Sequence, residues 1–152
     1  MSRPGTATTR TPVQLAATAV GAVFLVVGIA GFIPGLTTDY DMLEFAGHES
    51  RAMLLGVFAV SMLHNIVHLA FGVVGLALAR TARGAYFFLI GGGVVYLVLW
   101  LYGLVIDHES GANFVPVNTA DNWLHLVLGL GMLALGFALG RSIRPGDVPR
   151  TR

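Results

Sequence analysis

The chain has 152 residues, of which 55% are hydrophobic and only 11% charged, with a mean hydropathy of +0.76. A soluble domain of this length cannot bury that much apolar surface, so the composition points to a bilayer. The absence of cysteine excludes disulfides, thiol catalysis and thiolate metal sites, and the net charge of +1 comes without any phosphate-binding loop, Ser-His-Asp arrangement or nucleic-acid module.

In chain order, a polar, proline-punctuated tail over 1–12 is expected to be poorly ordered. Four apolar runs follow: 13–33, 52–79, 84–106 and 123–140. Each is near the roughly 20 residues that cross a bilayer as a helix, and none carries an acid or a basic residue in its interior. The first run is too long for the apolar core of a signal peptide and lacks an A-x-A site after it. The spacing therefore predicts an all-α integral membrane four-helix bundle over 13–141, followed by a second polar tail over 142–152. Before the fourth helix, "NTADNW" offers Asn118 or Thr119 as N-cap, with Asp121 in the first turn where an acid suits the helix dipole.

The charges orient this bundle. All nine basic residues are Arg: Arg3 and Arg10 precede helix 1, Arg80 and Arg83 fill the turn between helices 2 and 3, and Arg141, Arg144, Arg150 and Arg152 follow helix 4. Only Arg51 lies on the other side. Asp39, Asp41, Glu44, Glu49, Asp107, Glu109 and Asp121 all fall in or beside the two remaining loops, leaving Asp147 alone among the arginines. By the positive-inside rule both termini are cytoplasmic, and the expected location is the plasma membrane.

An internal repeat links helices 2 and 4. Asn65-x-x-His68-Leu69-x-x-Gly72 recurs as Asn122-x-x-His125-Leu126-x-x-Gly129 at a spacing of 57, which predicts two parallel helical-hairpin repeats about an axis along the membrane normal. His68 and His125 are then equivalent, inward-facing and in the outer half of the bundle, and His64 aligns with Asp121, so a hydrogen bond between those two is expected.

Residues three and four apart share a helix face. His64, Asn65 and His68 on helix 2, Tyr96 and Trp100 on helix 3, and Asp121, Asn122 and His125 on helix 4 therefore form a predicted polar core, since lipid offers such groups no partner. The plain expectation is a mutual hydrogen-bond network that fixes helix register, with each Asn partnering a His. Intramembrane ionisable groups also carry a functional expectation. Two inward histidines can hold the iron of a haem b at both axial positions. His64, His68 and His125 could alternatively ligate a metal, but the H-E-x-x-H glutamate is missing and no metal is assigned. His48 and His108, beside Glu49 and Glu109, read as ordinary loop histidines.

The segments "LHNIVHLAFGVVGLA", "GGVVYLVLWLYG" and above all "NFVPVNTADNWLHLVLGLGM" resemble a family of small actinobacterial membrane proteins, the domain-of-unknown-function family 4383, over roughly residues 13–140. The resemblance implies a four-helix plasma-membrane protein and supplies no substrate, cofactor or catalytic residue. The expectation is thus a non-enzymatic membrane protein in contact with the lipid bilayer, whose polar core is structural or serves a membrane-protein partner or a second copy. The alternative is a haem- or quinone-linked redox protein using His68 and His125.

Overall fold

The computed structural model describes residues 9–141; the expectations placed on 1–8 and 142–152, including Arg3, Arg144, Asp147, Arg150 and Arg152, lie outside the described residues. Four helices make up most of it: α1 (Pro12–Ala30), α2 (Met62–Leu78), α3 (Ala82–Val105) and α4 (Thr119–Gly140). α1, α3 and α4 are long and apolar enough to cross a membrane. α2 has 17 residues, about 25 Å of rise, and falls just short of the same length.

The start of α2 differs from the sequence expectation. Residues from Ala52 do not continue a helix; Met53–Leu54 (β2) and Phe58–Ala59 (β3) form an antiparallel hairpin, and Thr37–Thr38 (β1) pairs with β2 to give a three-stranded sheet in the order β1-β2-β3. The hairpin turn puts Leu55 and Gly56 at positive φ (54° and 67°), a conformation incompatible with a helix. The helix begins where Ser61 can cap it, its hydroxyl accepting the His64 N–H at 3.1 Å.

The other helix ends follow their local chemistry. Thr11 and Gln14 form a capping box at α1, with Pro12 in the first position where its missing N–H costs nothing. Thr81 caps α3 through Gly84 N–H. At α4 the box is complete: Asn118 Oδ1 accepts from Asp121 N–H and Asp121 Oδ2 accepts from Asn118 N–H, both at 3.0 Å.

The helices pack most extensively as α1 with α2 and α3 with α4. The two hairpins are built alike. Gly21 meets Gly72 and Gly93 meets Gly129, so closely that a Cβ on Gly72 would lie 2.8 Å from the Gly21 carbonyl and one on Gly93 2.9 Å from the Gly129 carbonyl. Gly31 abuts the Asn65 side chain, and Gly103 abuts that of Asn122. The α2–α4 spacing is 57 throughout, while the α1–α3 spacing is 72, set by a second repeat, Gly21-x-Val23-Phe24-Leu25-Val26 against Gly93-x-Val95-Tyr96-Leu97-Val98. The hairpins are therefore related by a pseudo-twofold relationship, and Phe24 stacks on its own equivalent, Tyr96, at 5.4 Å between ring centroids.

The core of the membrane region runs along this contact: Ala17, Phe24, Ala85, Phe88, Leu89, Tyr96 and Met132 are buried together. Large apolar residues such as Val26, Val73, Val98, Val105 and Phe137 face outward, a surface that suits lipid rather than water.

Candidate functional site

The site lies where α2 and α4 begin. His64 and His68 are one turn apart on the same face of α2, and their rings stand 4.5 Å apart at 54°. Phe24 of α1 lies against His68 at 5.7 Å, and Tyr96 of α3 lies against His125 at 5.2 Å. The rings thus run as His64, His68, Phe24, Tyr96, His125, with the stacked Phe24–Tyr96 pair at the centre. His64, Asn65, Asp121, Asn122 and His125 are all buried.

His64 and Asp121 are both at this level, but they do not bond to each other as the sequence alignment of the repeats leads one to expect. His64 Nδ1–H donates to the Pro116 carbonyl at 3.0 Å, the carbonyl fixing which nitrogen carries the proton. Asp121 Oδ2 accepts from the Ala59 N–H at 2.9 Å in addition to its capping bond. Each side chain prefers an unpaired backbone group of the loop opposite, because that group would otherwise be buried without a partner.

The expected Asn–His network is corrected as well. Asn65 Nδ2 and Oδ1, Asn122 Oδ1, Trp100 Nε1, His68 Nδ1 and His125 Nδ1 are buried with no hydrogen-bond partner among the described residues. The asparagines are turned away into the notches left by Gly31 and Gly103, so they serve the α1–α2 and α3–α4 contacts rather than the histidines.

Two cavities flank the ring chain. One, of about 190 Å³, lies on the α1–α4 side, with walls that include Phe24, Val27, Phe58, Leu124 and Leu128. The other, of about 140 Å³, lies on the α2–α3 side and includes Val67, Tyr96, Leu99, Phe114 and Val117. His64, His68 and His125 line both. Phe24 and Tyr96, Val27 and Leu99, and Leu124 and Val67 are equivalent pairs under the 72 and 57 spacings, so the cavities are pseudo-symmetric copies of one site. Their outer rims carry exposed apolar residues, Val23, Leu55 and Leu124 on one side and Val67, Leu99 and Phe114 on the other, and so open sideways onto the apolar surface.

A haem between His68 and His125 does not fit this arrangement: Phe24 and Tyr96 occupy the space a porphyrin would need, and each flanking cavity is small. Among the described residues no group of three or more His, Cys, Asp or Glu side chains has the geometry to hold a metal ion. In the outer loops, His108 Nε2–H donates to the Gly103 carbonyl at 2.9 Å and His48 Nε2 pairs with Glu49 at 3.2 Å, both local contacts.

Phe24, Val27, Phe58, Leu99 and Phe114 were not singled out as site residues by the sequence. Phe24 had a signal, the Gly-x-Val-aromatic-Leu-Val repeat it shares with Tyr96.

Neither the curated proteins nor the solved structures contain a match to the chain. The family model for a domain of unknown function (DUF4383) matches residues 14–138, a span that takes in all four helices nearly end to end, and the chain belongs to that family.

Proposed function

We infer that this is a multi-pass plasma-membrane protein with both termini in the cytoplasm, and that it works by binding a small lipid-borne molecule at the His64, His68 and His125 cluster rather than by turning over a water-soluble substrate. The orientation is supported by charge. Arg10, Arg80, Arg83 and Arg141 lie at the end where Gln14 Nε2–H donates to the Ala79 and Arg80 carbonyls at 3.1 and 2.9 Å and where Tyr86 meets Gly140. The acidic loops lie at the other end, together with the cavities.

The observation that carries the binding reading is the placement of His68 and His125, each with a ring nitrogen that has no protein partner, in the walls of two apolar cavities with exposed apolar rims. Buried polar groups are nearly always paired, and a core built only to fix helix register has no reason to set two histidine rings without hydrogen bonds in the walls of cavities. The alternative that the polar core is purely architectural accounts for His64 and Asp121, which are satisfied, but not for His68 and His125.

Photolabelling tests this reading. With the full chain in lipid nanodiscs, a photoreactive decane carrying a diazirine should concentrate on cavity positions such as Leu124 and Val67, and excess unlabelled decane should displace it. Labelling spread evenly over Val73, Val105, Leu130 and the cavity residues alike would overturn it.

A further inference from the structure

Resting on that reading, we propose that each cavity takes the ring of a quinone or quinol, with its apolar tail passing out through the lateral opening into the bilayer. Size is the first argument. An apolar cavity of about 150 Å³ accepts a benzene ring, and the two cavities here measure about 190 and 140 Å³. Both are of the size of a single six-membered ring, the larger with room for small substituents, and both exclude a sterol or a porphyrin.

Charge is the second. No Arg lines either cavity, so neither a phosphate nor a carboxylate head group finds a counter-ion there. The one acid, Asp121, lines only the larger cavity, and its Oδ2 already accepts two backbone N–H groups, from Ala59 and Asn118. A cationic head group therefore has no equivalent place in the second cavity. The ligand that suits both is uncharged.

Hydrogen bonding is the third. His64 Nδ1 is committed to the Pro116 carbonyl, which leaves His68 and His125, whose rings line both cavities with Nδ1 enclosed by protein and Nε2 the nitrogen left to a ligand. A neutral imidazole has one N–H and one lone pair and can exchange which nitrogen carries which. Such a group donates to the carbonyl of a quinone and, in its other tautomer, accepts from the hydroxyl of a quinol. The same site thus serves both forms of the ring with no change in its own charge.

Shape is the last. Each cavity has aromatic walls, Phe24 and Phe58 in one and Tyr96 and Phe114 in the other, against which a flat ring packs. Each rim is apolar and exposed, as the tail requires.

Competition against the photoreactive decane, again with the full chain in nanodiscs, separates this inference from the reading it rests on. A decyl-tailed benzoquinone should displace the cavity label at about one-tenth the concentration needed by decylbenzene, the difference of one good hydrogen bond. In H68L and H125L that advantage should shrink toward parity while cavity labelling persists, which shows the cavities intact. Equal displacement by the two compounds in the unaltered protein would overturn the quinone assignment and leave lipophile binding standing; absence of cavity labelling in the unaltered protein would remove both. An advantage that survives in H68L and H125L would overturn the assignment to these histidines. Should either variant fail to fold, H68F and H125F, which keep a ring of similar size and lack its nitrogens, carry the same comparison, and the two compounds on the unaltered chain already decide the ligand class.

Discussion

His64 and Asp121 hold equivalent positions in the two hairpins, 57 residues apart, and each bonds to the backbone of the other hairpin's entry loop: His64 to the Pro116 carbonyl and Asp121 to the Ala59 N–H. Ala59 and Pro116 are themselves 57 residues apart, so the two contacts are a reciprocal exchange across the pseudo-twofold relationship. The pair clasps α2 to α4 at the end where the cavities lie.

That clasp has a measurable strength. D121A removes the acceptor of two buried N–H groups and should lower stability by about 2–3 kcal/mol, since a hydrogen bond to a charged group contributes more than a neutral one and a stranded donor keeps its desolvation cost. D121N retains an oxygen at the same reach and should lose about half as much. Thermal unfolding in matched detergent checks this; equal losses for the two variants would mean the carboxylate's bonds are not what holds the loop.

The asparagines make the opposite prediction. N65L and N122L replace unpartnered amides by apolar groups of similar shape in the same glycine notches, so each should leave thermal stability unchanged or raise it. G31A and G103A, which push a Cβ into those amides, should each cost about 1–3 kcal/mol through overpacking. A clear drop in N65L or N122L would show that the amide is hydrogen-bonded in the membrane.

Orientation can be read with single cysteines, because the chain has none of its own. Arg80 and Glu109 are exposed at opposite ends of the bundle. An impermeant thiol reagent applied to intact cells should label E109C and spare R80C until the membrane is opened. The reverse pattern would invert the proposed topology.

The Phe24–Tyr96 stack forms the wall between the cavities. F24A should cost about 3–5 kcal/mol, the usual penalty for emptying a buried aromatic site. It should also join the two cavities, so that a bulkier probe such as a photoreactive adamantane gains access. Stability lost without new adamantane labelling would mean that the neighbouring side chains collapse into the space.

The helices of this fold were legible because their apolar runs are long and free of charge, and α4 announced its own start through Asn118 and Asp121. The hairpin at Met53–Ala59 was not legible: its residues are as apolar as those of α2, and the break rests on Leu55 and Gly56 adopting positive φ, which hydropathy does not report. Half of the duplication was visible as the Asn-x-x-His-Leu-x-x-Gly repeat. The other half was hidden because equivalent positions lie 15 residues further apart in the first hairpin (Gly31 to Asn65) than in the second (Gly103 to Asn122), the difference between spacings of 72 and 57, so no single offset aligns both helix pairs. His64, His68, Tyr96 and His125 were recognisable as polar residues on helix faces. The partners of His64 and Asp121 were not, because Pro116 and Ala59 contribute backbone atoms, and a backbone N–H or carbonyl leaves no mark on sequence.

The central claim, two equivalent lipid-facing cavities sharing one histidine cluster, is tested most directly by filling them one at a time. Val27 and Leu99 are equivalent positions that each line a single cavity. V27W should abolish photoreactive-decane labelling at Leu124 and Leu128 while sparing Val67 and Phe114, and L99W should do the converse. Labelling at all four positions that ignores both substitutions, or that either substitution abolishes everywhere, would contradict the account.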